Sequence, residues 1–198
     1  MRKGLLIALA VIAGMAILSY SFFGGTYNSL VKAEEVVSES WAQVQNVYQR
    51  RADLIPNLVE TVKGYAAHEK ETLRAVTEAR ARATGMNVSA DIVNDPQAMA
   101  NFEKAQASLS SALSRLLVSV EQYPDLKANQ NFLALQTQLE GTENRITVER
   151  MRFNQAARDF NTKLRSFPTN FLAGMFGFSK KAYFQAEAGS EKAPKVAF

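Results

Sequence analysis

The 198-residue chain carries 23 Lys and Arg against 19 Asp and Glu, a single His and no Cys. One histidine excludes multi-histidine zinc sites and the paired Glu-x-x-His pattern of di-iron bundles, and the lack of cysteine excludes thiol nucleophiles and disulfides. Setting aside Arg2 and Lys3 leaves 21 basic and 19 acidic residues, a net +2 that gives no support to a nucleic-acid binder, while the abundance of Ala, Leu, Glu and Gln is helical.

The first predicted element is a membrane anchor at 1–24. Arg2 and Lys3 lead into an uncharged apolar run, Leu5 to Phe23, which at the helical rise is about 28 Å long and matches the hydrocarbon core of a bilayer. Ser19-Tyr20-Ser21 makes a cleaved signal peptide the rival reading. Phe22 and Phe23 prolong the run and helical sequence resumes after it, which favours a retained single-pass anchor. Arg2 and Lys3 stand against Lys32 alone on the other side, so the charge rule expects a cytoplasmic N-terminus and an external body.

From 25 to 168 the pattern is that of an up-and-down helical bundle of three to four long helices. Leu30, Val37, Val44, Leu58 and Tyr65 recur at seven-residue spacing, broken by Arg51. Trp41, Tyr48, Ile55, Val62 and Val76 form a second series, with Glu34 and Glu69 as exceptions. The register runs through Pro56, where a kinked continuous helix is favoured and a hairpin is the alternative. Residues 84–94 read as a loop. Asp95-Pro96 restarts a helix with the seam Phe102, Leu109 and Leu116. After a turn at Tyr123-Pro124-Asp125, the last helix carries Phe132, Leu139, Ile146, Phe153, Phe160 and Phe167, a sustained coiled-coil-like seam. An aromatic segment, 169–185, follows, and 186–198 reads as a flexible tail.

Several motifs carry a resemblance. Tyr27-Asn28-Ser29-Leu30-Val31, Arg50-Arg51-Ala52-Asp53-Leu54-Ile55-Pro56-Asn57-Leu58, Gly64-Tyr65-Ala66 and His68-Glu69 occur in order. Glu121-Gln122-Tyr123-Pro124-Asp125-Leu126, Thr142-Glu143-Asn144-Arg145-Ile146, Phe153-Asn154 and Phe160-Asn161 follow them. Together they resemble the LemA family. The resemblance implies a bacterial single-pass (inner) membrane protein with a helical-bundle body. It also implies association with quality-control or envelope-stress machinery, a membrane metalloprotease included.

No catalytic, metal or cofactor site is expected. Glu140/Glu143 and Glu69/Glu71 read as solvated salt-bridge partners. His68 has the pKa class of a pH sensor; its plainer reading is an exposed helix residue. Arg50, Arg51 and Asp53 bracket Pro56 and, with Asn57, serve either to cap carbonyls freed by the proline or to dock a partner. Asn154 and Asn161, with Asn144 near the same face, are either solvated at the seam's margin or buried to fix helix register. In the second case Asn161→Leu should raise stability. Phe171, Phe176 and Phe178 cap the bundle, meet a neighbouring subunit or dip into lipid. The function expected is a membrane-anchored scaffold or adaptor that forms homo-oligomers, with a membrane-organising or lipid-binding protein as the alternative. Its partners are lipid, through Leu5 to Phe23, and other membrane proteins.

Overall fold

The computed structural model describes residues 2–66, 68–86 and 90–185; the expected flexible tail, 186–198, lies outside them. Among the described residues the only regular structure is helical, without a strand: α1 (Arg2–Tyr65), α2 (Lys70–Gly85), a 3₁₀ turn (Ala90–Asn94), α3 (Pro96–Val120), α4 (Pro124–Lys127), α5 (Gln130–Arg165) and α6 (Thr169–Met175). Four of these helices are long. α4 and α6 are short additions, found where the sequence pattern gives a turn and an aromatic segment.

α1 has 64 residues and is therefore about 96 Å long. Its apolar first part is long enough to cross a membrane and has no buried residues in its most apolar stretch, which fits a single-pass membrane protein. The helix continues without a linker into the bundle, where it forms the spine. It also continues through Pro56, so no hairpin forms there. Proline cannot donate to the carbonyl four residues earlier, that of Ala52, and Arg80 Nε of α2 donates to this carbonyl at 2.7 Å. The capping side chain is thus neither Arg50 nor Arg51. Arg50 is exposed, and Asp53 accepts from Gln49 one turn away.

The chain reverses between α1 and α2 instead, where the heptad pattern runs straight across. Glu69 N–H donates to Ala66 O at 3.0 Å, and its carboxylate accepts from the Tyr123 hydroxyl at 3.0 Å. Asn129, which caps the N-terminus of α5, also donates to the Tyr65 hydroxyl at 2.8 Å. The two turns at the far tip are thereby tied together, and α5 returns antiparallel to α1 along most of its length. With α1 unbroken at Pro56 and no reversal elsewhere, three helices would leave the aromatic segment at the far end. The reversal between α1 and α2 brings it back beside the anchor.

Two apolar clusters fill the bundle. The one far from the anchor is aliphatic, with Ile55, Leu58, Val62, Val76, Leu109, Leu116 and Leu139. The near one is aromatic. Trp41 lies 5.6 Å from Phe102, 5.4 Å from Phe153 and 6.0 Å from Phe184 between ring centroids. Phe167, the last member of the expected seam, is 81% exposed, because α5 ends at Arg165.

Replacing Arg80 with Met keeps its aliphatic packing but strands the buried Ala52 carbonyl, an expected loss of about 1–3 kcal/mol. In a Pro56→Ala background the restored N–H pairs with that carbonyl, so the same substitution should cost far less. Thermal melts of the four proteins give this coupling directly. Equal losses in both backgrounds would show that Arg80 acts in some other way.

Candidate functional site

Arg51 occupies a seam position between Val44 and Leu58, at the junction of the two clusters, and is only 1% exposed. A buried guanidinium needs partners in the fork geometry of its N–H groups. Nη1 donates to Ser110 Oγ at 2.9 Å and to Glu143 Oε1 at 2.8 Å, while Nη2 donates to Gln106 Oε1. The cation also lies 5.1 Å from the Tyr48 ring centroid. Gln106 and Ser110 are one turn apart on α3 and Glu143 comes from α5, so one side chain of α1 holds both helices. Glu143 is thus a partly solvated salt-bridge partner, as its sequence context implies, but the cation it pairs with is buried.

α3 and α5 do not close over this layer. Between them lies a cleft of about 590 Å³, bordered by Arg51, Glu103, Ser110, Glu143 and Arg150. It adjoins a second of about 490 Å³ along Leu113, Leu117 and Leu139, with Glu140, Glu143 and Asn144 on its rim. Arg150 donates to Glu103 at 3.0 Å. Burial pushes the Glu103 carboxyl above the usual range, against the opposing pull of the Gln185 N–H and Arg150. Burial likewise raises the Tyr48 phenol.

The anchor-side end of the cleft is closed by the C-terminal segment, an extended strap over residues 178–185. α6 ends in a Schellman turn: Phe178 N–H reaches Ala173 O at 3.0 Å across Gly177, whose φ of +77° suits glycine. The strap then runs back along α5. Asn161 Oδ1 accepts from Lys181 N–H and its Nδ2 donates to Lys181 O, both at 2.9 Å. Asn154 repeats the pairing with Phe184 N–H and O at 2.9 and 3.0 Å. Seven residues of helix rise about 10.5 Å, and three extended residues span about 10 Å. Two carboxamides a heptad apart therefore meet two peptide groups three residues apart. Lys181 is 5% exposed; its ammonium pairs with Glu34 and Asn94 and lies 5.0 Å from the Phe160 ring centroid. Gln185 N–H donates to Glu103 at 2.8 Å, which ties the strap to the cleft.

A sequence model of the LemA family matches residues 40–198. The chain belongs to the LemA family. Its similarity to Protein LemA of Metamycoplasma hominis is 27% identity over 167 residues, covering 84% of this chain and 72% of that protein. It is 25% identical to Magnetosome protein MamQ 2 of Paramagnetospirillum magneticum, with 96% of this chain and 76% of the relative covered. Magnetosome protein MamQ of Magnetospirillum gryphiswaldense is 24% identical, over 94% and 74% respectively.

In this LemA-family bundle the residues singled out from sequence separate clearly. Arg51 forms the polar layer, and Asn154 and Asn161 hold the strap. Asn144 is exposed on the cleft rim rather than aligned with those two, and Asn57, Pro56 and His68 are exposed. Phe178 turns inward to Phe160 and Tyr27, and Phe176 rests on Tyr27 with ring centroids 5.0 Å apart. Phe171 is 67% exposed. Sequence reasoning missed Arg80, Gln106, Glu103, Arg150 and Lys181. For Gln106 the signal was present, since an arginine in an apolar seam demands polar partners from facing helices.

The asparagines fix the strap, not helix against helix, so the expectation that Asn161→Leu stabilises is reversed. Leucine leaves the buried N–H and C=O of Lys181 unpaired, an expected loss of about 2–5 kcal/mol. The variant should melt lower and release the strap, so that trypsin cuts at Lys180 and Lys181 much faster than in the parent protein. A higher melting temperature with unchanged cleavage would contradict the clamp.

Proposed function

We propose that this protein is a membrane-tethered helical adaptor without catalytic activity, in which the α3–α5 cleft takes an amphipathic helix of another membrane protein. The observation that carries this reading is the open cleft itself. Its floor holds Leu113, Leu117 and Leu139, its rim holds Glu140 and Glu143, and it belongs to a body built on the same unbroken helix as the apolar run. A helix laid into a groove uses an apolar stripe for affinity and flanking charge for register. Glu140 on the rim, where the Glu143 charge is already met by Arg51, suits a ligand helix with Lys or Arg beside its apolar stripe. Confinement to the bilayer surface raises the effective concentration of both partners, so individually weak contacts suffice. Family membership supports extending the proposal to quality-control or envelope-stress partners, membrane metalloproteases among them, and to the bacterial inner membrane as the site of action.

In-cell photocrosslinking tests the adaptor role. A photoreactive residue at Leu117 in the full-length protein should capture another membrane protein, whereas one at Arg74, on the exposed face of α2, should not. Absence of adducts at Leu117, or equal capture at both positions, would remove the adaptor reading. Capture of a second copy of this chain at Leu117 would instead select a second reading, membrane organisation by homo-oligomers.

Topology is a separate prediction. The chain has no cysteine, so single cysteines introduced at Lys3 and Glu35 report accessibility cleanly. With the N-terminus cytoplasmic, a membrane-impermeant maleimide added to intact spheroplasts labels Glu35→Cys and spares Lys3→Cys. The opposite pattern inverts the topology.

A further inference from the structure

Phe167, Phe171 and Met175 recur every fourth residue and form one outward stripe, 81%, 67% and 76% exposed. The opposite side of α6 is anchored: Leu172 and Ala173 are buried, and Phe176, just beyond the helix, sits edge-on to Tyr27. Tyr27 lies one helical turn past Phe23, where the apolar run ends. The pocket shared by Gly25, Thr26, Ser29, Lys163 and Thr169 confirms the level of α6, beside the exit of the anchor. The stripe therefore lies at the level where the apolar run of α1 ends. Basic side chains flank it: Lys163, whose ammonium reaches Ser29 O at 3.2 Å, and the exposed Arg165 and Lys180.

We infer that α6 lies in the headgroup layer of the bilayer, with Phe167, Phe171 and Met175 immersed and Arg165 and Lys180 facing lipid phosphates. Three arguments select lipid over a second protein surface. The stripe stands at the level where the apolar run ends, beside Gly25 and Thr26. Exposed Phe side chains with Lys and Arg beside them match the pattern of interfacial segments, where apolar bodies bury to a shallow depth. The charge beside the stripe is positive, as anionic headgroups require. The inference rests on the apolar run lying in a bilayer and is independent of the adaptor role.

The test uses the full-length protein in vesicles of phosphatidylethanolamine and phosphatidylglycerol, with an environment-sensitive fluorophore on one introduced cysteine. Phe171→Cys and Met175→Cys are the test sites, Leu18→Cys reports the anchor, and Ser111→Cys on the exposed face of α3 reports water. A lipid carrying a nitroxide near its headgroup should remove most of the emission from the two α6 probes, while iodide in solution leaves them nearly unchanged. Adding Phe167→Ser and Phe171→Ser to the Met175 probe should reverse that pattern. Iodide quenching equal to that at Ser111 overturns the inference. So does shielding from both quenchers, which would mean that a protein surface covers the stripe. Failure of the Leu18 probe to respond to a nitroxide near the bilayer centre would overturn the anchor itself, a result distinguishable from the other two.

Discussion

A guanidinium taken out of water must be met by fixed acceptors, and the position of Arg51 makes this the constraint around which the bundle is arranged. It sits where the heptad pattern calls for an apolar side chain, so removing its charge from solvent would be strongly destabilising without partners. Those partners come from two different helices. Gln106 and Ser110 set the rotation and height of α3 against α1, and Glu143 does the same for α5. The polar layer divides the interior into an aliphatic half and an aromatic half. It also fills the space between α3 and α5 with hydrogen-bonded groups instead of interlocking apolar side chains. The Glu143 side chain, 42% exposed at one end and bonded to a buried cation at the other, is where the interior opens into the cleft.

The aromatic half is completed by a strap of extended chain where a further helix would be the simpler solution. Extended backbone without a neighbouring strand leaves its peptide groups unpaired, and buried unpaired peptides are rare for energetic reasons. Asn154 and Asn161 replace the missing strand, each offering one donor and one acceptor in the geometry of a peptide group. A third attachment comes from the 3₁₀ turn, whose Val93 carbonyl accepts from Ala182 N–H at 2.7 Å. Phe184 then seats against Trp41 and Phe153, with the Arg150 guanidinium 4.6 Å from its ring centroid. The strap is therefore part of the core, and its end at Gln185 connects the core to the charged wall of the cleft through Glu103.

Much of the helical architecture was legible in the sequence because it follows from local spacing. The α5 seam from Phe132 to Phe160 reads directly as a buried stripe, and Asp95-Pro96 reads as a helix start; Asp95 accepts from Gln97 and Ala98 N–H at 2.8 and 3.2 Å. The reversal between α1 and α2 was illegible for a physical reason. It contains neither Gly nor Pro, and its fixing bond, Tyr123 to Glu69, joins residues far apart in the chain. Arg80 was illegible in the same way: the carbonyl it serves is defined by Pro56, but the donor arrives from another helix. The heptad spacing of the two asparagines is legible and their role is not, since nothing local reveals that an extended segment lies across them. The resemblance to the LemA family drew attention to the right motifs, and only the fold shows that several of them meet at the far tip.

An anchor made of one helix leaves its load free to lean and to rotate. Spanning helices tilt by about 20° on average. The part of α1 beyond Thr26 extends about 60 Å, so such a tilt moves the far tip by about 20 Å. A bundle that leans this far could not present its cleft at a defined height or direction. The continuous helix removes one source of that freedom, because no flexible joint lies between the apolar run and the spine. A second contact beside the first removes another: an immersed α6, fixed to α1 through Phe176 and Tyr27 and to α5 through the short link after Arg165, resists both leaning and rotation about the helix axis. Since the Schellman turn at Gly177 joins α6 to the strap, and the strap is pinned by Asn161 and Asn154 and ends on Glu103 at the wall of the cleft, α6 and the candidate partner site are joined through one hydrogen-bonded segment.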